Sequence, residues 1–411
     1  MEEKQIKSIK KYLAKQAPIA FSLLQRYADP PWKIAIVIPS FKERTLVQAL
    51  DSLAQCEWST QRGGVLLVVV LNESELASEE IRLLHQQQMT ALKSWRKPEW
   101  MSLAVLHASA IPDKQAGVGL ARKTGLDFVV SEALKRSEFP LLVNFDADSL
   151  VDKNYLGAIL DYFLKRPKTN AASIYYEHPL DTDDEPSNER IALYELHLRC
   201  YRQMILSTGH PFAFHTVGSS MACTLEAYVK QGGMNRRKAG EDFYFLNKLM
   251  MLGNFGEINS TRVIPSARES DRVPFGTGRA ILEMGKECYY ATYAKAGFEH
   301  MKEMFQQLEE YFETAVWKVH PYLQEFLQEQ SDYGTKLDLV RSNCSALAVF
   351  QTRFFACFDL FAVMKYLHFI RDEKGIESPS VVQFVQGNWG WEGASALELL
   401  PKMRQLERSL P

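Results

Sequence analysis

Two aspartates stand one residue apart directly after an apolar run, in the stretch LLVNFDADSLVDKNY over residues 141–155. Residues i and i+2 of a strand point to the same side, so the carboxylates of Asp146 and Asp148 are expected to face one place beyond the strand. Ligands bind at this end of the strands in open α/β sheets. Neighbouring carboxylates repel, and Mg²⁺ or Mn²⁺, which take oxygen ligands, removes that conflict. The alternative is a solvated turn in which Asp148 caps the next helix.

A second pair of acids, Glu241 and Asp242, closes the stretch GSSMACTLEAYVKQGGMNRRKAGED over residues 218–242. This stretch predicts a strand of small residues, a short helix, a Gly-Gly turn and then a further helix over 243–251. Acidic side chains at a helix start are stabilised by the helix dipole. Considered alone, the pair is therefore interpreted as a helix cap.

Two basic features could contact a phosphorylated ligand. The stretch SARESDRVPFGTGRA over residues 266–280 contains Arg268, Arg272 and Arg279, and guanidinium groups match phosphate oxygens. A polar linker between domains explains the same composition. The stretch GVGLA begins at Gly117, but Arg122 stands where a dinucleotide-binding fingerprint has its third glycine. We therefore do not expect a dinucleotide-binding site there.

Alternating strands and helices are predicted to position these residues. The predicted strands are 33–38, 65–71, 103–107, 140–145 and 171–176, and the predicted helices are 43–55, 78–97, 117–135, 152–165 and 188–206. This alternation predicts an α/β fold with an open, mostly parallel sheet and helices on both faces. After residue 277 long amphipathic stretches predict a helical region. The expected organisation is an N-terminal helical segment (1–31), an α/β domain (32–276) and a helical C-terminal region (277–411).

The composition is that of an ordinary globular protein. Of 411 residues 46% are hydrophobic and 24% charged, and the net charge of -2 argues against nucleic acid as a partner. The six cysteines are scattered and form no C-x-x-C pair. The N-terminus does not resemble a secretory signal. The apolar stretch 345–370 contains Arg353, Asp359 and Lys365, so we expect a buried helix there and no transmembrane segment. A cytoplasmic protein is predicted, and peripheral association with the inner face of the membrane stays open.

Four stretches, taken in order, resemble a family 2 glycosyltransferase of the GT-A fold. They are IAIVIPSFKERTLVQALDSL, GVGLARKTGLDFVV, FDADS and GSSMACTLEAYVKQGGMNRRKAGED, and the resemblance covers roughly residues 33–265. The first is similar to the family's opening strand, turn and helix. The second is similar to its Gly-x-x-x-Ala-Arg-Asn-x-Gly helix, with Lys123 in place of Asn. The third is similar to its metal-binding D-x-D, and the fourth to its acceptor-side segment.

The resemblance implies transfer of a sugar from a nucleoside-diphosphate-sugar donor to an acceptor hydroxyl, with inversion at the anomeric carbon. Mn²⁺ or Mg²⁺ bound by Asp146 and Asp148 would stabilise the leaving diphosphate. Asp242 would be the general base, with Glu241 beside it in the catalytic pair. The residues expected to bind the donor are Pro39, Ser40, Glu43, Asn72, Gly117, Arg122 and Asp146, together with Arg268 and Arg272, which are added for the chemistry of their guanidinium groups.

This chain also departs from the family's pattern. Where the family usually has Asp-Asp-Gly-Ser after the second strand, this chain has Leu71-Asn72-Glu73-Ser74. It has no Gln-x-x-Arg-Trp motif, and the processive polysaccharide synthases are therefore a poor match.

Two other functions are compatible with the sequence. A nucleotidyltransferase acting on a sugar phosphate also uses an α/β sheet and paired carboxylates, although PSFKER lacks the glycine-rich loop expected there. A non-catalytic nucleotide-sugar or partner-binding module, with the helical region as its interaction surface, is the second. The sequence does not identify the donor sugar or the acceptor.

Overall fold

The computed structural model describes residues 2–17, 19–25, 31–181, 184–270, 276–285, 288–329 and 332–409. The strands in this part of the chain are β1 (Ser22–Gln25), β2 (Trp32–Ser40), β3 (Gly64–Ser74), β4 (Met101–Ile111), β5 (Leu141–Asn144), β6 (Leu150–Val151), β7 (Ala171–Tyr176), β8 (Met221–Thr224) and β9 (Phe255–Ile264).

The α-helices of the first 252 residues are α1 (Glu2–Leu13), α2 (Leu46–Ala54), α3 (Glu79–Ser94), α4 (Val118–Arg136), α5 (Tyr155–Lys165), α6 (Glu185–Thr208), α7 (Leu225–Lys230) and α8 (Glu241–Met251). The later ones are α9 (Thr277–Met284), α10 (Lys295–Gln306), α11 (Leu308–Thr314), α12 (Pro321–Glu329), α13 (Tyr333–Ser342), α14 (Leu347–Cys357), α15 (Leu360–Asp372), α16 (Val381–Trp389) and α17 (Ala396–Arg408).

The strands form one mixed sheet in the order β1-β4-β3-β2-β5-β8-β7-β9-β6. The longest pairings are parallel and join β2 to β3, β3 to β4 and β7 to β9; β2 and β5 are also parallel. The shorter pairings β1–β4, β5–β8, β7–β8 and β6–β9 are antiparallel. The predicted class, an α/β fold with a mostly parallel sheet followed by a helical C-terminal region, is confirmed.

The central strands are buried because their sequences are apolar on both faces. Every residue from Ile34 to Ile38 in β2 and from Val65 to Leu71 in β3 is fully buried. Parallel strands covered on both faces have such continuous apolar runs, with no alternation of apolar and polar residues. Helix α4 packs on β2 and β3, and Gly125 is the contact point, where an added Cβ would lie 2.5 Å from a methyl carbon of Val37.

Three strands lie where the sequence predicted none. The predicted N-terminal helical segment contains one helix, α1, followed by β1, which pairs with β4. The strands β6 and β9 pair with each other, and β9 also pairs with β7. β1 and β6 are short edge strands stabilised by distant partners, so their local pattern is weak. β9 mixes polar and apolar residues and is only partly buried, unlike the central strands.

By compactness the chain divides into two units, residues 1–179 with 216–279 and residues 180–215 with 280–411. The first contains the sheet. In the second, α6 packs against α10, α16 and α17. Helix α6 thus groups with the C-terminal helices, although in sequence it lies between strands β7 and β8. The predicted boundaries at residues 31 and 276 stay predictions.

The predicted single buried helix over 345–370 is two helices, α14 and α15. Asp359 caps α15 by accepting hydrogen bonds from the backbone N–H groups of Phe361 and Ala362, at 2.9 and 3.1 Å. The two helices are bent by 59° at the break between them. In the described ranges no single helix is long and apolar enough to cross a membrane; only this bent pair, taken together, reaches that length and hydropathy.

Candidate active site

Asp146 and Asp148 lie in the turn between β5 and β6, beyond the carboxyl end of β5. Phe145 extends the strand by donating its N–H to the carbonyl of Val37 at 3.1 Å, and the N–H of Ser149 closes the turn onto the carbonyl of Asp146 at 3.1 Å. The Asp146 side chain is 37% exposed and that of Asp148 is 21% exposed. Both carboxylates are thus held by a buried strand yet remain accessible to a ligand.

Arg122 joins this turn to the second acid pair. Its side chain is almost fully buried in α4, with Nη2 donating to Asp146 Oδ1 at 2.5 Å and Nη1 donating to Glu241 Oε1. Gly218 makes room for the guanidinium, because a Cβ there would lie 2.5 Å from Arg122 Nη1. A single arginine therefore brings together two acidic motifs that are 95 positions apart in the sequence.

Glu241 and Asp242 form the first turn of α8, as the capping interpretation predicts. Gly240 precedes them with φ of 69°, a left-handed conformation that glycine adopts without strain. Asp242 Oδ1 accepts a hydrogen bond from the N–H of Phe243 at 2.8 Å. The side-chain amide of Asn235 donates to the Glu241 carbonyl at 3.1 Å. These contacts hold the acid pair in place, and Asp242 is half-buried.

Two glycines let α4 approach the segment before α8. A Cβ on Gly117, which caps α4, would lie 2.5 Å from Cα of Lys238, and a Cβ on Gly119 would lie 2.4 Å from the carbonyl oxygen of Arg237. Backbone contacts this close exclude any side chain. Gly117, predicted to contact the donor, therefore has a packing role here, and donor contact stays a prediction.

The charges around Arg122 do not balance. Its guanidinium contacts the carboxylates of Asp146 and Glu241 directly, and the nearby charge of Asp242 also acts to raise the pKa of Arg122. Burial raises the pKa of Glu241 and of Asp242; the Arg122 charge opposes this rise, and the neighbouring carboxylates add to it. One positive charge among three carboxyl groups favours either a retained proton or a bound cation.

A second arginine, Arg268, bridges two further site residues. It follows β9, and its guanidinium donates to both carboxylate oxygens of Glu43, with the Nη1–Oε1 distance at 2.9 Å, while Nη2 lies 3.0 Å from Asp148 Oδ2. Burial acts to raise the pKa of Glu43, but hydrogen bonds from Arg268 and Thr45 outweigh it and lower the pKa to about 2. Glu43 is therefore ionised, and Arg268 connects the turn after β2 to the D-x-D turn.

The turn after β2 is supported from α3. The buried amide of Gln88 donates to the backbone carbonyl of Glu43 and, at 3.4 Å, to the hydroxyl of Ser40. Lys42 adopts φ of 51°, which turns the backbone sharply before Glu43. That Gln88 stabilises this turn was not predicted from the sequence, because no sequence motif surrounds Gln88.

The remaining predicted donor residues lie in the strands or outside the described part. Pro39 is in β2 in register with Val70, and Asn72 is buried in β3 in register with Ala108. Arg272 lies outside the described residues. Of the predicted site residues, the structure brings together Glu43, Arg122, Asp146, Asp148, Glu241, Asp242 and Arg268.

No protein-family model and no curated protein matches this sequence. Similar solved structures include S. aureus TarS in complex with UDP-GlcNAc, with 11% identity over 81% of this chain and 90% of that chain and a TM-score of 0.38. The mannosyltransferase PcManGT from Pyrobaculum calidifontis, in complex with GDP-Man and Mn²⁺, has 14% identity over 92% and 95% and a TM-score of 0.34. GalNAc-T7 with UDP, GalNAc and Mn²⁺ has 13% identity over 80% and 57% and a TM-score of 0.38. Likeness at this distance assigns neither a family nor a substrate.

Proposed function

We propose that this protein is a glycosyltransferase that moves a sugar from a nucleoside-diphosphate-sugar donor to an acceptor hydroxyl. The observation that carries the proposal is the contact of Arg122 with both Asp146 and Glu241. It supports one site that contains the D-x-D turn and the Glu-Asp pair, in the order that resembles family 2. Neither a helix cap nor a solvated turn requires these two acidic motifs to meet on one buried arginine.

The residues present fit a divalent cation. Asp146 and Asp148 offer carboxylate oxygens, the ligands that Mg²⁺ and Mn²⁺ prefer, and both side chains are partly exposed. The surplus of carboxyl groups around Arg122 favours added positive charge. A bound Mg²⁺ or Mn²⁺ would neutralise charge on the leaving diphosphate.

The arginines prepare the same place for an anionic donor. Arg122 fixes the position of the Asp146 carboxylate in the D-x-D turn and keeps Glu241 next to it. Arg268 reaches Asp148 with a guanidinium that is 37% exposed. It could exchange this carboxylate for the oxygens of a bound diphosphate without losing its contact with the buried Glu43. Arg268 thus offers a partly exposed guanidinium to a diphosphate bound at the D-x-D turn.

Asp242 is the proposed general base. Its backbone contact at the start of α8 fixes its position, and its half-buried carboxylate can receive the proton that the acceptor hydroxyl loses as it attacks. Burial raises its pKa, and a base with a higher pKa takes up a proton more readily than an ordinary aspartate. A single base acting in a direct displacement inverts the anomeric configuration.

The test is a panel of nucleotide sugars incubated with the full chain, with and without Mn²⁺. Free nucleoside diphosphate, released by transfer or by slow hydrolysis, is expected for at least one donor and only with metal. Formation of pyrophosphate from a nucleoside triphosphate and a sugar phosphate would indicate a nucleotidyltransferase instead. Binding without turnover across donors and acceptors would indicate a binding module.

A further inference from the structure

A cluster of two histidines and one glutamate lies apart from the D-x-D turn. Glu73 Oε2 lies 3.1 Å from His85 Nδ1 and 3.5 Å from His107 Nε2. One ligand atom from each residue falls within 4.8 Å of the other two. Among the described residues, this cluster is a group of three His, Cys, Asp or Glu side chains that could hold a metal ion.

Three separate elements place these side chains on one face. His107 in β4 is in register with Leu71 in β3, and Glu73 is two residues beyond Leu71, so both side chains point to the same side of the sheet. The β3–β4 register shifts between Asn72 and Ser74, near Ala110, which has φ of 54°. His85 comes from α3, which packs on β3. The cluster therefore depends on the tertiary fold.

We propose that Glu73, His85 and His107 bind a zinc-class divalent transition metal. Tetrahedral coordination with metal–ligand bonds of about 2.0–2.1 Å separates neighbouring ligand atoms by roughly 3.3 Å. The two distances to Glu73 Oε2, 3.1 and 3.5 Å, bracket that value. Two imidazoles and one carboxylate favour zinc, cobalt or iron over Mg²⁺ or Ca²⁺, which prefer oxygen ligands.

The surroundings support a bound ion. His85 is 1% exposed, and the buried Nε2 of His107 makes no hydrogen bond within the described residues. The side chains of Glu73 and His107 are 11% and 21% exposed, so the cluster lies near the surface of the protein. The other oxygen of Glu73 lies 3.6 Å from the exposed Arg82, and a metal on Oε2 does not displace that contact.

The structure also indicates what the metal would do. The buried residues of α3 are His85, Gln88 and Leu92, and only Leu92 is apolar. A helix normally packs on a sheet through an apolar stripe, but the apolar residues Ile81, Leu84 and Met89 of α3 are only partly buried. A metal at His85 would attach α3 to β3 and β4 one turn before Gln88, which supports the Ser40–Glu43 turn. A metal bound there would therefore stabilise α3, and thereby that turn.

The test measures Zn²⁺ binding by the full chain without nucleotide or sugar, so its outcome is independent of the proposed glycosyl transfer. The chain is stripped with a chelator and titrated with Zn²⁺ against a colorimetric competitor. One Zn²⁺ per chain is expected. His85→Asn keeps a donor toward Glu73, and His107→Gln keeps a polar atom near Nε2. Each is expected to weaken binding by at least roughly 100-fold, since even outer-shell changes cost 10–100-fold.

Two controls separate this site from its neighbours. Arg82→Ala removes a side chain that contacts Glu73 but is not a ligand, and Asp148→Ala removes the D-x-D carboxylate. Both variants are expected to bind one Zn²⁺ as the parent does. Zn²⁺ should also slow hydrogen exchange in residues 79–94 of the parent but not of His85→Asn. The proposal is overturned if the parent binds less than one Zn²⁺ per chain, or if His85→Asn and His107→Gln bind it with unchanged affinity.

Discussion

Each compact unit contains a buried arginine surrounded by acids, and the two clusters differ in charge. In the unit with the sheet, Arg122 forms ion pairs with Asp146 and Glu241. In the helical unit, Arg199 is 0% exposed and links Glu195, at 2.8 Å, to Glu407. Further bases join this second cluster: Arg404 donates to Glu195 at 2.7 Å, His215 Nε2 lies 3.1 Å from Glu407, and Arg202 lies 3.6 Å from it.

The pKa values of the acids shift in opposite directions in the two clusters. Burial acts to raise the pKa of Glu407, but His215, Arg199 and Arg202 outweigh it and bring the pKa to about 2. Around Arg122, burial prevails and the pKa of Glu241 rises. The acids of the helical unit are matched by basic side chains, as expected of a structural ion-pair cluster between α6 and α17. We call this cluster, Glu195, Arg199, Arg202, His215, Arg404 and Glu407, the clamp. The acids near Arg122 outnumber their partner, as expected of a ligand site.

The largest effect is expected from removing the charge of the clamp. Glu407→Gln keeps the shape but leaves Arg199, Arg202 and His215 without their shared carboxylate. Breaking a buried ion pair by removing one partner costs about 3–5 kcal/mol, so the free energy of unfolding should fall by that amount in denaturant titrations. Glu398→Gln is the control: it is an exposed acid at the start of the same helix, and the amide oxygen of Gln can keep the hydrogen bond that Glu398 accepts from the N–H of Ala394. A loss below about 1 kcal/mol would show that the clamp contributes no more to stability than an exposed ion pair does.

The pH dependence gives an independent check of the clamp. The folded-state pKa of Glu407, about 2, lies below the value of about 4.3 expected in the unfolded chain. Its contribution to stability is therefore present above about pH 4.3 and lost as the pH falls through about 2. The stabilities of the parent and Glu407→Gln should converge toward pH 2, and a constant difference would assign the effect to packing.

The next largest effect concerns the base at the ligand site. Asp242→Asn is nearly isosteric but is a poor proton acceptor, so transfer should fall by at least roughly 100-fold while nucleoside diphosphate binding is largely kept. Glu226→Gln, at an exposed acid in the first turn of α7, is the matched control and should transfer like the parent. Transfer by Asp242→Asn within a few-fold of the parent would remove Asp242 from the mechanism, and a retained anomeric configuration would exclude inversion.

A smaller effect is expected for the metal-binding carboxylate. Asp148→Ala should lose the part of nucleoside diphosphate affinity that depends on Mn²⁺, by roughly 10-fold or more, and chelation with EDTA should abolish transfer by the parent. Isothermal titration with and without Mn²⁺ measures the affinity, and release of nucleoside diphosphate with EDTA, and again after Mn²⁺ is added back, measures transfer. An Asp148→Ala variant with the parent's affinity and the same metal response would contradict the assignment.

The smallest effect is expected for Arg268, whose guanidinium is partly exposed and therefore screened by water. Arg268→Ala should weaken nucleoside diphosphate binding less than 10-fold, an amount comparable to one exposed charged contact, and should leave free nucleoside binding unchanged, because only the diphosphate offers phosphate oxygens. Equal weakening of both ligands would show that Arg268 acts through the turn at Glu43.

The fold was predictable where local sequence alone decides the structure. The strands β2 and β3 were predicted because a strand buried on both faces has a continuous apolar run in its own sequence, and α4 was predicted from the spacing of its apolar residues. The strands β1 and β6 were not predicted, and α14 and α15 were predicted as a single helix. An edge strand is stabilised by a distant partner, and an apolar stretch does not indicate where a single Asp, here Asp359, will cap a new helix.

By itself the sequence determined the α/β class, the places of both acid pairs and the chemistry that carboxylates and arginines allow. Only the tertiary structure decided which groups meet. It brought Asp146 and Glu241 to the guanidinium of Arg122, Glu73 to two histidines, and α6 beside the C-terminal helices. The reason is physical: the hydrophobic pattern that predicts a strand or a helix is local, whereas the pairing of charges depends on distances between residues far apart in the chain.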